Sequence, residues 1–127
     1  MIELAEPKPD EKGVDLGSGD GRIVIAFANH GVGMHGFELN EDLLRLSEKN
    51  IKSANLNNAF VKNKNFWDVD LSGFDIITIY PMPDVMEALV EKLEREIRPG
   101  ARVLTNYYPL PNRIPKKTKD NIYLYIR

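Results

Sequence analysis

The sequence predicts an α/β fold: a mostly parallel sheet with helices on both faces and an antiparallel C-terminal strand. Three observations carry this expectation. Short apolar segments alternate with helical patterns along most of the chain, which implies right-handed crossovers between parallel strands. Segments such as DIITIY, residues 75–80, run apolar with little alternation, as strands do when helices cover both faces. The last segment, NIYLYIR, follows a proline- and lysine-rich connection with no helical pattern, so it is expected to enter antiparallel, at or near an edge.

Each element has its own signal. Gly13–Leu16 is the first strand, and Arg22–Asn29 a short apolar helix stopped by Gly31. Gly33–Leu39 is the second strand. Asn40 is a good N-cap for Glu41–Asn55, whose acidic first turn and later lysines match the helix dipole. Ala59–Asn63 and Asp75–Tyr80 are the third and fourth strands. In Asp84–Arg98 the residues Val85, Met86, Leu89, Val90, Leu93 and Ile97 recur at helical spacing, and Pro99–Gly100 ends the run. Arg102–Tyr108 and Ile122–Arg127 complete the set.

The chain has 127 residues, the size of one domain spanning 1–127. A net charge of −2 provides no global field toward nucleic acid or membrane. No apolar run has the length of a membrane span, and the N-terminus lacks a signal pattern. The absence of cysteine excludes disulfides, thiolate metal sites and a cysteine nucleophile. His30 and His35 lie near glycines and read as turn and strand-edge residues, so no metal site is expected. A cytoplasmic location fits this composition.

The chemistry concentrates in GVDLGSGDGRIVIAFA, residues 13–28. Gly17, Gly19 and Gly21 follow the first strand, where ligands of such folds bind. The position of a third dinucleotide-binding glycine is Arg22, and no Gly-Lys-Ser/Thr follows, so neither a dinucleotide fingerprint nor a P-loop is present. Asp15 and Asp20 flank the turn. Carboxylates disfavour a pyrophosphate and suit a ligand carrying an ammonium and a sulfonium. Glu38, ending the second strand in GFELN, has the separation at which an acidic residue takes ribose hydroxyls. Together these features favour a cationic nucleoside.

VDLGSGDGRIVI resembles the first motif of the class I S-adenosylmethionine-dependent methyltransferases, and GFELN their second. DLGSGDGRI, ELN, KNKNFWDVD, EKLEREIRPGARVLTNYYPLP and NIYLYIR are similar, in that order, to the archaeal protein-lysine methyltransferases and the related mitochondrial ATP-synthase c-subunit lysine methyltransferases. The resemblance implies a Rossmann-like class I methyltransferase fold and S-adenosyl-L-methionine as cofactor, with S-adenosyl-L-homocysteine as its product. It implies that Asp15, Gly17, Ser18, Gly19 and Gly21 line the methionine moiety, with Asp20 near its ammonium. Glu38 would take the ribose hydroxyls, with Leu39 and Asn40 beside the adenosine. Asn65 and Phe66 would meet the adenine, whereas Trp67 reads as core packing. Tyr80 would sit beside the transferring methyl, and Tyr80, Asn106 and Tyr107 would border the channel of the incoming amine. The implied partners are protein substrates with exposed lysines, the chain itself among them, and no membrane.

Three departures from the family pattern shape the expectations. The proline-rich segment that closes over the family's cofactor has no counterpart in MIELAEPKPDEK, which leaves two expectations open, a truncated product or an unusually open site. Arg113 stands where a tryptophan is common. YPMPD is not the Asn/Asp-Pro-Pro-Tyr motif of many amine methyltransferases, which argues against DNA-adenine or glutamine methylation. Arg113, Lys116, Lys117 and Lys119 form a basic stretch that either steers an acidic partner or is a solvated loop. A basic face with interleaved aromatics is lacking, so nucleic acid is disfavoured as a partner. A small-molecule or RNA methyltransferase, or a catalytically weak cofactor-binding module, stays open as an alternative.

Overall fold

A computed structural model describes residues 1–127. Strands β1 (Lys12–Leu16), β2 (Gly33–Phe37), β3 (Ala59–Lys62), β4 (Ile76–Ile79), β5 (Arg102–Asn106), β6 (Lys117–Lys119) and β7 (Ile122–Ile126) form one sheet in the order β3-β2-β1-β4-β5-β7-β6. The first five strands are mutually parallel, and β7 runs antiparallel beside β5. Strand order reverses at β1, whose neighbours are β2 and β4. The carboxyl ends of these strands are therefore the place where a ligand crevice is expected.

Helices α1 (Ile2–Ala5), α2 (Arg22–Ala28) and α3 (Glu41–Ser53) serve one face, and α4 (Met86–Glu96) the other. Two apolar clusters record this division. Val24 and Phe27 of α2 pack with Met34, Ile76, Leu104 and Leu124 on one side of the sheet. On the other, Leu89 and Leu93 of α4 pack with Val14, Leu16, Ile77, Ile79 and Val103. Central strands buried on both faces account for the near-continuous apolar reading of β4, where even Thr78 is inside.

Asn40 caps α3, its side chain accepting from the amides of Asp42 and Leu43 at 3.0 and 3.1 Å. Differences from the expected elements have local causes. The Asp84 helix begins as a 3-10 turn over Pro83–Val85, because Pro83 supplies a fixed φ at the helix start, and becomes α-helical only at Met86. The proline- and lysine-rich connection contains β6, a three-residue strand that pairs with β7, so β7 lies one strand inside the edge. His35 sits within β2, as the expected strand Gly33–Leu39 has it, with its ring stacked on Phe60 at 5.1 Å. Burial, Lys12 and Lys62 all push its pKa down. No helix is long and apolar enough to cross a membrane.

Candidate active site

The turn after β1 is built by its glycines and by one glycine of the neighbouring strand. Gly17, Gly19 and Gly21 have φ of 76°, 56° and 85°, a region that side chains rarely adopt. A Cβ on Gly17 or Gly19 would meet nothing within 4 Å, so the turn presents bare backbone to open space. It is tied to β2 by the amides of Gly17 and Ser18, which both donate to the Phe37 carbonyl at 3.0 Å. Gly36 permits this approach: a Cβ there would stand 2.7 Å from Ser18 Cβ and Oγ and 2.9 Å from Val24 Cγ2.

Glu38 is held in place before any ligand arrives. Its Oε1 accepts from the Gly19 amide at 2.8 Å and its Oε2 from the Asn40 amide at 3.0 Å. Asn63, at the end of β3, donates to the carbonyls of both Glu38 and Leu39 at 3.1 Å and so fixes the backbone beside the carboxylate. Leu39 itself is exposed.

Asp15 lies under the turn, 3% exposed, and accepts from Thr78 Oγ1 at 2.7 Å. Burial pushes its pKa up to about 7; the Thr78 hydrogen bond opposes the shift and the negative field of Glu38 adds to it. Asp20 is differently placed. Its carboxylate is gripped by Arg22, with Nη2 at 2.8 Å and Nε at 3.2 and 3.3 Å, and this pairing holds its pKa below the usual carboxylate range. Asp20 is thus paired within the turn, while Asp15 lies beneath the turn and Glu38 borders it.

The residues expected at the adenine follow β3. Asn65 caps the 3-10 turn Phe66–Asp68 by accepting from the Trp67 amide at 3.1 Å, which leaves its amide donors free. Phe66 is half-buried against the α4-side core and its ring centroid lies 4.8 Å from that of Trp67, so both rings also pack.

Tyr80 and Tyr107 come together at the carboxyl ends of β4 and β5. They are 51% and 53% exposed, and their rings are nearly parallel, 15° apart in plane with centroids separated by 6.5 Å. Tyr108 stands edge-on to both, at 6.1 and 4.8 Å. Sequence reasoning left Tyr108 out of this group; its adjacency to Tyr107 was visible, but the turn that returns it to Tyr80 was not. That turn needs φ of 73° at Tyr107 and is closed by the Tyr107 amide donating to the Asn121 carbonyl at 2.7 Å. Asn106, the last residue of β5, pairs with Ile122 and lines a pocket with Met1, Ile2, Arg22 and Phe27 on the α1/α2 side of the sheet, so the structure does not bring its side chain into the tyrosine cluster. The basic stretch is partly neutralised within the chain, since Arg113 pairs with Glu94 and Lys119 with Glu3.

The site fits a cationic nucleoside on its own geometry. Ser18 Oγ, in a residue only 5% exposed, has no hydrogen-bond partner, and the open space at Gly17 and Gly19 adjoins two carboxylates. No group of three or more metal-ligating side chains is present.

Comparison with known proteins follows the same line. The chain is 34% identical to a protein-lysine N-methyltransferase of Saccharolobus islandicus, over 99% of its own length and 85% of that protein's. It is 36% identical to the mouse ATP-synthase c-subunit lysine N-methyltransferase, over 88% of its length, and it spans only 47% of that relative. A crystal structure of an RNA methyltransferase from Salinibacter ruber, in complex with S-adenosyl-L-homocysteine, superimposes with a TM-score of 0.92 at 30% identity, covering 98% of this chain and 86% of the other. The family model of the ANTKMT methyltransferase domain matches residues 15–117, from the buried aspartate of β1 into β6. The chain belongs to this family and is an S-adenosylmethionine-dependent methyltransferase.

Proposed function

We propose that the enzyme transfers a methyl group to the side-chain amine of protein lysines, in a cytoplasmic setting. The observation that carries the choice of target is the 34% identity to a protein-lysine N-methyltransferase over nearly the whole chain, and the half-exposed pair Tyr80 and Tyr107, with Asn106 ending β5, offers the place for the amine. Two aromatic faces and their hydroxyls suit a flexible ammonium by cation–π contact, although such faces also stack planar bases. The names of the Saccharolobus islandicus and mouse relatives support the same target.

In this reading Asp15, Gly17, Ser18, Gly19 and Gly21 hold the methionine end of the cofactor, with Asp20 contributing charge. Glu38 takes the ribose hydroxyls, Leu39 and Asn40 flank the adenosine, and Asn65 and Phe66 meet the adenine. When bound, S-adenosylmethionine supplies an electrophilic methyl group on a sulfonium whose departing thioether is neutral. The protein therefore has no developing anion to stabilise, and its tasks are alignment and exclusion of water. A lysine ammonium must release its proton to water before it can attack; partial desolvation on entering the site lowers its pKa toward that state, while the ring faces hold the ammonium form during docking. Tyr80 and Tyr107 align the resulting amine through ring faces and hydroxyl oxygens.

An RNA target is the second reading, favoured by the name of the Salinibacter ruber structure. Incubation with methyl-labelled cofactor and a cell extract, followed by fractionation, separates the two. Label in protein is expected; label confined to nucleic acid contradicts the proposal. Tyr80→Phe tests the site itself: turnover should fall by about tenfold or more while cofactor affinity is unchanged. Unchanged turnover removes Tyr80 from the channel.

A further inference from the structure

The connection between β3 and β4, residues 63–75, carries the residues assigned to the adenine, yet its only helical turn is the 3-10 segment Phe66–Asp68. Its backbone is held instead by two side chains of α4. Lys92 is 3% exposed, and its Nζ donates to the carbonyls of Trp67 at 3.1 Å and Val69 at 2.7 Å. The same ammonium meets both carboxylate oxygens of Glu96, one helical turn on, at 3.0 and 2.9 Å. Glu96 Oε1 in turn accepts from the Leu71 amide at 3.0 Å.

A buried lysine is costly unless it is paired and hydrogen-bonded, and an apolar residue between Leu89 and Leu93 would satisfy the core equally well. What an apolar residue would not do is bind two loop carbonyls. These carbonyls begin two residues after Asn65, whose own cap bond to the Trp67 amide sets the direction of its free amide donors. Fixing Trp67 therefore fixes Asn65.

We propose that Lys92, braced by Glu96, is a positioning residue that holds the Asn65–Phe66 segment in register for the adenine end of the cofactor. The proposal rests on the assignment of Asn65 and Phe66 to the adenine. Lys92 does not touch the ligand; it acts through the Trp67 and Val69 carbonyls.

The test uses the full chain and S-adenosylhomocysteine in calorimetry, together with fluorescence of the chain's single tryptophan, Trp67. Lys92→Met leaves the largely buried Glu96 with only the long 3.4 Å contact to Arg95 and the Leu71 amide, so Lys92→Met/Glu96→Met is made alongside it to keep a folded protein. Both should weaken ligand binding by about tenfold, the equivalent of one well-placed hydrogen bond. Both should also shift the Trp67 emission. Adenosine alone should lose the same factor. Combining the double variant with Asn65→Ala should cost little more than either change, whereas a merely structural role for Lys92 would make the losses add. Wild-type affinity and emission in Lys92→Met/Glu96→Met, with Asn65→Ala weakened, would overturn the role of Lys92 alone. Wild-type affinity in Asn65→Ala would remove the adenine assignment and the proposal with it.

Discussion

Asp15 sits where a charge is hardest to keep. In the folded chain its pKa is raised to about 7, well above its ordinary value, so between about pH 4 and pH 7 the folded state retains a proton that the unfolded chain has lost. The unfolded state binds fewer protons in that window, and the contribution of Asp15 to stability falls as pH rises through it. Asp15→Asn should flatten this slope in urea titrations at pH 5 and pH 7.5; an unchanged slope would show that Asp15 ionises as freely in the fold as in solution. A cationic ligand favours the ionised form, so S-adenosylhomocysteine, with its ammonium, should bind more tightly as pH rises from 6 to 8 in the wild type, and less steeply in Asp15→Asn. Gly36 makes a second prediction at this scale. A methyl group there has no room beside Ser18 and Val24, and Gly36→Ala should cost about 1–3 kcal/mol, read as a lower Tm together with weaker cofactor binding. A neutral substitution would mean that the turn has slack.

At the scale of elements, α3 and its cap couple stability to the site. Asn40 closes the first turn of α3 with its side chain while its backbone amide holds Glu38. Asn40→Ala should therefore cost about 1 kcal/mol in denaturant titrations, while the backbone amide that holds Glu38 survives. Unchanged stability would show that the cap contributes nothing to α3. The elements that the sequence made legible share one property: their own residues state their burial. Val24 and Phe27, or Leu89 and Leu93, mark buried faces by spacing alone. β6 was hidden because Lys117, Thr118 and Lys119 are all exposed, and only pairing to β7 makes them a strand. The Asp20–Arg22 pair was hidden for a related reason, since proximity in sequence does not reveal that both carboxylate oxygens face the guanidinium. Lys92 reads as a polar position on an amphipathic helix. That it is buried follows from the loop laid over it, which no periodicity encodes.

At the scale of the molecule, a strand reversal at β1 places the glycine turn, Glu38 and Asn65 at the ends of β1, β2 and β3, and the tyrosine cluster at the ends of β4 and β5. The half proposed to hold the cofactor is written locally in the sequence, as glycines, two aspartates and a glutamate in a fixed order. The acceptor half was legible only in part, because Tyr80, Tyr107 and Tyr108 meet through the β4–β5 register and the turn at Tyr107. The central claim, methyl transfer to a lysine amine, is tested most directly by hydrolysing proteins labelled by the enzyme and identifying the modified amino acid by mass spectrometry. Nε-methylated lysine carrying the label, formed at least about tenfold more slowly by Tyr80→Phe, is the predicted result. Label on arginine or glutamine, or absent from protein while present in RNA, would contradict it.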